Sequence, residues 1–350
     1  MRHSAGLILA LAGVIAGPVA AEAAKKDKRL EVYWVDVEGG AATLIVTPAG
    51  ESILVDAGFP GGRDAGRIHK VATEVAGLRK IDHLVVTHYH LDHFGGVAEL
   101  ADLMPVGVLY EHGLDSAPED ERSDPRLEPF QKAKVGRRVV VRPGDEIVLA
   151  QVMGAASVRF RFLAASQKIA TEADGARPNA AACGEAREKE ADPSDNANSL
   201  AMMLEQGRFR LFDGGDLTWN VEGRLVCPAD HVGRVDVLQS SHHGVDSSNN
   251  PVLVKTLAPT VVVVNNGPKK GGERESLTTF VSTPSVKATY QLHRNVREGS
   301  LNTAPERIAN LEEATCAGEY VKLSVEPSGK SYTVSVPRTR HRRSFEVKRR

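Results

Sequence analysis

A chain of 350 residues, 41% hydrophobic and 25% charged, has the composition of an ordinary soluble globular protein and is long enough for one large domain or two modest ones. Its formal net charge of -1 excludes a global electrostatic pull toward nucleic acid or anionic membrane. Basic residues gather instead in 337–350, which is expected to be a solvated, disordered tail.

The chain opens with Arg2 and His3, an apolar stretch from Ala5 to Val19, and then small residues that allow cleavage after Ala21 or Ala23. The apolar run is shorter than a bilayer requires and is broken by Gly13, Gly17 and Pro18, so 1–23 reads as a signal peptide, with a retained anchor as the alternative. The mature protein is then exported, to the periplasm or beyond, with no transmembrane segment. In an oxidising compartment two of Cys183, Cys227 and Cys316 are free to pair, in any combination. None lies in a CxxC cluster, so thiolate metal ligation is not expected from spacing.

From Leu30 the pattern becomes regular. "LEVYWVDV", "ATLIVTP" and "SILVDAG" are short β-branched runs separated by turn residues and read as an antiparallel meander. A helix follows, with Ile68, Val71, Val75 and Leu78 on one side, and then the buried strand "IDHLVVTH". "FGGVAELADLM" opens another helix, and "VGVLYEHG" is a strand ending at His112. Residues 166–195 are polar and poor in β-branched residues, the composition of a surface insertion. After it come the hairpin "NSLAMMLEQGRFRLFDGGD", the strand "VDVLQSSHHG", the helix "PVLVKTLAP", the strand "TVVVVNNG" and a closing hairpin around 327–330. Strands interleaved with helices predict stacked sheets covered by helices.

Four strands end in Asp or His: Asp56, the segment from His88 to His93, Asp216, and His242 with His243. Within "THYHLDH", His88 and His90 are placed to meet one ion, while Asp92 and His93 reach a second. Neutral imidazole and carboxylate suit zinc and its neighbours. Asp216 has two oxygens to offer, and His242 or His243 completes the set. Asp56 suits a partner that orients a histidine or the attacking water. Lys269 and Lys270, on the loop 265–272, are candidates for an anionic substrate group. Trp219 reads as a core anchor.

An Asp at a strand end, HxHxDH before Gly-Gly, a later Asp after a hairpin and a His after a further strand together resemble the metallo-β-lactamase superfamily of hydrolases. The resemblance implies an α/β (α+β) fold, a four-layer αββα sandwich over 30–336, with a metal site at one edge holding two zinc ions. Within that superfamily, "NSL" before a hairpin ending in "GD" and "DVL" before "HHG" resemble the hydrolase domain of competence DNA-uptake channels, the ComEC-like branch. This favours His242 as the ligand and leaves His243 to an orienting or substrate contact. Many members supply one more histidine between the HxHxDH motif and the later Asp, yet 113–215 contains none. His112, Asn198 or a water are the substitutes, and Mn2+ becomes an alternative to Zn2+.

Two ions held together depress the pKa of water from about 15.7 toward roughly 7, so no serine or cysteine nucleophile is required. The expected function is an exported hydrolase with Asp56 and Asp92 as catalytic residues, acting on a small-molecule or phosphoester substrate. Lactone, β-lactam or other acyl hydrolysis is the alternative, and a metal-stabilised binding protein without turnover is another. No stable nucleic-acid complex is expected at this charge.

Overall fold

The structure is a computed structural model describing residues 27–170, 176–314 and 316–348. The predicted signal peptide, 1–23, lies outside these residues, as does 171–175 of the predicted insertion.

Two large mixed sheets face each other. In residue ranges, the first runs 341–346, 331–336, 320–325, 30–35, 43–46, 52–55, 81–85, 106–111 and 135–140. The second runs 308–310, 288–293, 261–264, 237–239, 209–213, 201–206, 158–165 and 146–147. Alternation along each strand sorts its side chains into layers. In Leu30–Val35, Val32 and Trp34 enter the core between the sheets, where they join Phe160, Phe162 and Met202. Tyr33 and Val35 point the other way and pack with Ile68, Val97 and Leu100 beneath the helices of the first half. On the far face of the second sheet, Phe212, Leu238 and Val262 meet Val221, Leu225, Leu253 and Phe280. The layers are therefore helix, sheet, sheet, helix, as expected.

A buried polar link crosses the central core. Gln239 Oε1 accepts from Trp34 Nε1 at 2.6 Å and from Thr43 Oγ1 at 2.9 Å, fixing one sheet against the other. Strand direction then determines where the loops fall. Ser52–Val55, Ile81–Val85 and Val106–Glu111 are mutually parallel. So are Phe209–Asp213, Val237–Gln239, Val261–Val264 and Ala288–His293. Parallel strands deliver all their carboxyl ends to one edge, which is where open α/β sheets collect functional groups.

The basic terminus differs from expectation, because His341–Glu346 forms a strand paired with Ser331–Val336. Its alternation is hidden by composition. Phe345 turns inward and stacks on Tyr332 at 5.3 Å while Arg342 and Arg343 face out. The insertion is largely exposed but pinned, since Cys183 is bonded to Cys227 and Lys189 sits 3.7 Å from the ring centroid of the buried Trp219. Its last residue, Asp195, opens the buried turn Asp195–Asn198. Among the described residues, no helix is long and apolar enough to cross a membrane.

The disulfide closes a loop of 44 residues. Replacing both Cys183 and Cys227 with Ser is expected to cost about 2–4 kcal/mol of unfolding free energy, measured by urea denaturation.

Candidate metal centre

The edge formed by the carboxyl ends carries the cluster. Asp56 follows Ser52–Val55 with φ at +61°, and His242 and His243 follow Val237–Gln239 with φ at +50° and +54°. Left-handed backbone is unfavourable for residues with a Cβ, so three such residues around one pocket point to side chains held there by function. Gly215, at φ +53°, lets the turn before Asp216 pass against Thr87, where a Cβ would meet the threonine at 3.0 Å.

Four ligand-type atoms meet in this pocket: Asp92 Oδ2, His93 Nε2, Asp216 Oδ2 and His243 Nε2. His93 Nε2 lies 3.4 Å from Asp92, 3.1 Å from Asp216 and 3.2 Å from His243 Nε2. His243 Nε2 lies 3.1 Å from Asp92 and 3.2 Å from Asp216. All four residues are buried.

The remaining ring nitrogens explain the orientation. His93 Nδ1 is 2.7 Å from Asp56 Oδ2, and Asp56 also accepts from the Thr87 amide and hydroxyl, each at 2.8 Å. His243 Nδ1 is 3.3 Å from the Asn265 carbonyl, which can only accept. With Nδ1 donating outward in both rings, two Nε2 lone pairs and two carboxylate oxygens point at one another. Such an arrangement calls for a cation, and carboxylate- or carbonyl-anchored histidines are how proteins orient metal ligands. The donor set therefore fits a divalent ion of the zinc or manganese kind.

A second group of donors lies beside the first. His88 is fully buried, its Nε2 has no hydrogen-bond partner, and that atom is 3.9 Å from Asp216 Oδ2. His90 Nε2 is 3.3 Å from Glu121 Oε2. His242 Nε2 is 3.6 Å from the same Asp216 oxygen. Burial holds His88 well below, and His242 below, the ordinary imidazole value, which keeps both as neutral donors.

Of the residues singled out from sequence, His88, His93, Asp92, Asp216, His242 and His243 converge here, with Asp56 behind them. Of the adjacent pair, His243 presents its Nε2 to the four-atom group, and His242 approaches Asp216 alone. His112 and Asn198 are engaged elsewhere, on Asp195: His112 Nε2 at 3.0 Å and Asn198 Nδ2 at 2.9 Å. Asp195 in turn donates its amide to Glu121 at 3.0 Å, so this network holds the carboxylate that faces His90. Lys269 pairs with Glu313 at the surface, while its neighbour Lys270 reaches into the pocket and contacts Asp92 Oδ2. Glu121 and Thr87 are not among the residues expected from the sequence, and of the two lysines expected on the loop 265–272 it is Lys270 that faces the pocket. Lys270 alone carried a sequence signal, as half of a Lys-Lys pair.

Burial opposes charge on His93, but Asp216, Asp56 and Asp92 outweigh it and hold this imidazole well above its ordinary value. For Asp92, burial is outweighed by His93, His243 and Lys270; for Asp216, by His243, His93 and His242. Both carboxyls are held well below their ordinary value. In the metal-free chain these charges favour a proton on His93 beside ionised carboxylates.

Residues 35–160 match the sequence model of the family described as "Metallo-beta-lactamase superfamily". A "UPF0173 metal-dependent hydrolase" of Polynucleobacter asymbioticus is 35% identical over 97 residues, 28% of this chain and 32% of that protein. A second protein of that description, from Cupriavidus necator, is 31% identical over 118 residues, 31% of this chain and 39% of its own length. The chain thus spans about a third of the curated relatives it matches. Zn(2+)-bound PqqB from Methylobacterium extorquens aligns at TM-score 0.43 with 14% identity, over 74% of this chain and 97% of that one.

Replacing Asp56 with Ala is expected to weaken zinc binding about 10- to 100-fold by chelator competition, because His93 loses its orienting partner. The pH dependence follows from the same charges. The His93 contribution to metal-free stability is complete below the ordinary imidazole pKa and is lost as pH rises through its raised value. The Asp92 and Asp216 contributions are present above the ordinary carboxylate pKa and lost in acid. The metal-free Tm is expected to hold between these limits and decline in alkali, and excess zinc removes the alkaline decline.

Proposed function

We propose that this chain is a metal-dependent hydrolase that uses the edge cluster to cleave small phosphoesters. The observation that carries the reading is the meeting of Asp92, His93, Asp216 and His243, with Nδ1 of both histidines already committed elsewhere. Asp92, His93, Asp216 and His243 would hold one divalent ion, and His88, His90 and Glu121, again with Asp216, a second. When bound, such ions supply a nucleophile from water near neutral pH and stabilise developing negative charge.

The residues of the chain do the rest. Asp56 has three hydrogen bonds, to Thr87 and His93, and acts by positioning His93. Lys270 reaches the pocket from a surface loop and remains 39% exposed, so its ammonium is available to an incoming anionic group. A phosphoester meets both a cation of this kind and the ligand cluster. The ComEC-like features at 196–216 and 235–244 support the same substrate class, and zinc or manganese is the ion proposed. The disulfide between Cys183 and Cys227 supports an oxidising compartment and hence export.

The test is turnover of bis-p-nitrophenyl phosphate, a phosphomonoester, a lactone and a chromogenic β-lactam by zinc- or manganese-loaded protein. Phosphoester turnover abolished by His90→Ala or Asp216→Ala is expected. Lys270→Ala should lower kcat/KM for phosphoesters by about 10- to 100-fold, mainly through KM, as loss of a charge-assisted contact does. Acyl-bond turnover alone replaces the substrate class, and full metal occupancy without turnover replaces the hydrolase by a binding protein.

A further inference from the structure

A second meeting of ligand atoms lies further along the same edge. Asp36 follows Leu30–Val35, His293 ends Ala288–His293, and Cys316 lies in the loop before Tyr320–Val325. Strand Leu30–Val35 is antiparallel to Thr43–Val46, which is antiparallel to Ser52–Val55, so Asp36 and Asp56 leave the first sheet in the same direction. Ala288–His293 is parallel to Val261–Val264 and, through it, to Val237–Gln239. The topology that sets Asp56 and His88 opposite Asp216 and His243 therefore sets Asp36 opposite His293.

The three atoms converge closely. Asp36 Oδ2 is 2.9 Å from His293 Nε2 and 3.1 Å from Cys316 Sγ, and Sγ is 3.5 Å from the same Nε2. For tetrahedral zinc with ordinary bond lengths to oxygen, nitrogen and sulfur, donors stand about 3.3–3.6 Å apart. Shifts of a few tenths of an ångström would seat an ion. Asp36 and His293 are almost wholly buried and Cys316 is partly exposed, which leaves a coordination position toward solvent. Without an ion, the His293 imidazole and the Cys316 thiol both reach Asp36 Oδ2, and the thiol also lies 3.6 Å from Asn310 Oδ1.

From this geometry we infer that Asp36, His293 and Cys316 form a separate site for a zinc-class divalent ion, independent of the hydrolytic cluster. The surrounding groups suit it. Asp36 Oδ1 is fixed by the Glu38 amide at 2.9 Å, leaving Oδ2 for the ion. Arg67 Nη1 stands 3.3 Å from that oxygen, and its Nη2, 3.5 Å from the sulfur, donates to Glu38 Oε1 at 2.8 Å. The guanidinium therefore has an anchor of its own when Asp36 turns to an ion. The thiol gives up its proton on binding, so affinity rises with pH. Tied together, the three segments would brace the 36–41 loop, whose Ala41 amide donates to the Asp92 carbonyl at 3.1 Å.

Cobalt substitution separates this site from the other. Cys316 is the free cysteine, and the hydrolytic cluster offers only nitrogen and oxygen. Chelated protein refilled with Co2+ should show a near-ultraviolet sulfur-to-cobalt charge-transfer band, retained in Asp216→Asn and abolished in Cys316→Ser. His293→Ala should weaken the band's cobalt dependence at least about tenfold. In unsubstituted protein, saturating zinc should slow alkylation of Cys316 by iodoacetamide at least tenfold, a readout that needs no variant to fold. Absence of the band at saturating cobalt, or alkylation unchanged by zinc, overturns the site. A band present without phosphoester turnover would instead count against the proposed hydrolase alone.

Discussion

Everything at the edge that carries the Asp and His cluster depends on one carboxylate oxygen. Asp216 Oδ2 has four imidazole Nε2 atoms around it, from His93, His243, His242 and His88, at 3.1, 3.2, 3.6 and 3.9 Å. In a buried pocket such a concentration of lone pairs is tolerable only around positive charge. In the metal-free chain the carboxylates around His93 raise its pKa and so favour a proton there. The same field that retains the proton is what would attract a divalent ion. Left-handed backbone at Asp56, His242 and His243 is a further cost of the arrangement, about 1–3 kcal/mol for each residue, borne by the cores on either side.

Those cores make the geometry rigid enough to hold. Neither sheet alone contains the cluster: Asp56, His88 and His93 leave the first, Asp216 and His243 the second. Their separation is set by how the sheets pack, and a shift of about an ångström would scatter the donors. The Trp34–Gln239–Thr43 link is informative here, because it crosses the apolar core at the strand that leads into His242 and His243. A buried hydrogen bond of this kind adds little net stability, about 1 kcal/mol, but it fixes relative position.

Much of this was legible from sequence because it is local. The strands of the first half announce themselves by β-branched runs, and "THYHLDH" places four potential ligands within six residues. What was not legible depends on distance or on backbone detail. His242 and His243 are adjacent and chemically identical; only their successive left-handed conformations decide which ring faces Asp92. Glu121 sits in a short helix, Glu119–Arg122, with no motif around it, and meets His90 only through the fold. Lys269 and Lys270 differ by which side of a loop each occupies. The pairing of Cys183 with Cys227, and the strand within the arginine-rich terminus, follow from tertiary neighbours such as Tyr332 that composition conceals.

The loop from Asp36 to Ala41 shows why residues without ligand atoms matter to the cluster. At its far end, a Cβ on Gly40 would lie 2.5 Å from the Asp92 carbonyl oxygen, so only glycine allows the loop to lie against the ligand segment. Gly39, at φ +98°, lies against Gly267 and the Lys270 Cβ, so the same loop also backs the lysine that touches Asp92. One strand end thus sets the positions of a ligand carboxylate and of the cation beside it. The position of Asp36, held by Arg67 and His293, is linked through the next five residues of close-packed backbone to the Asp92 segment of the cluster.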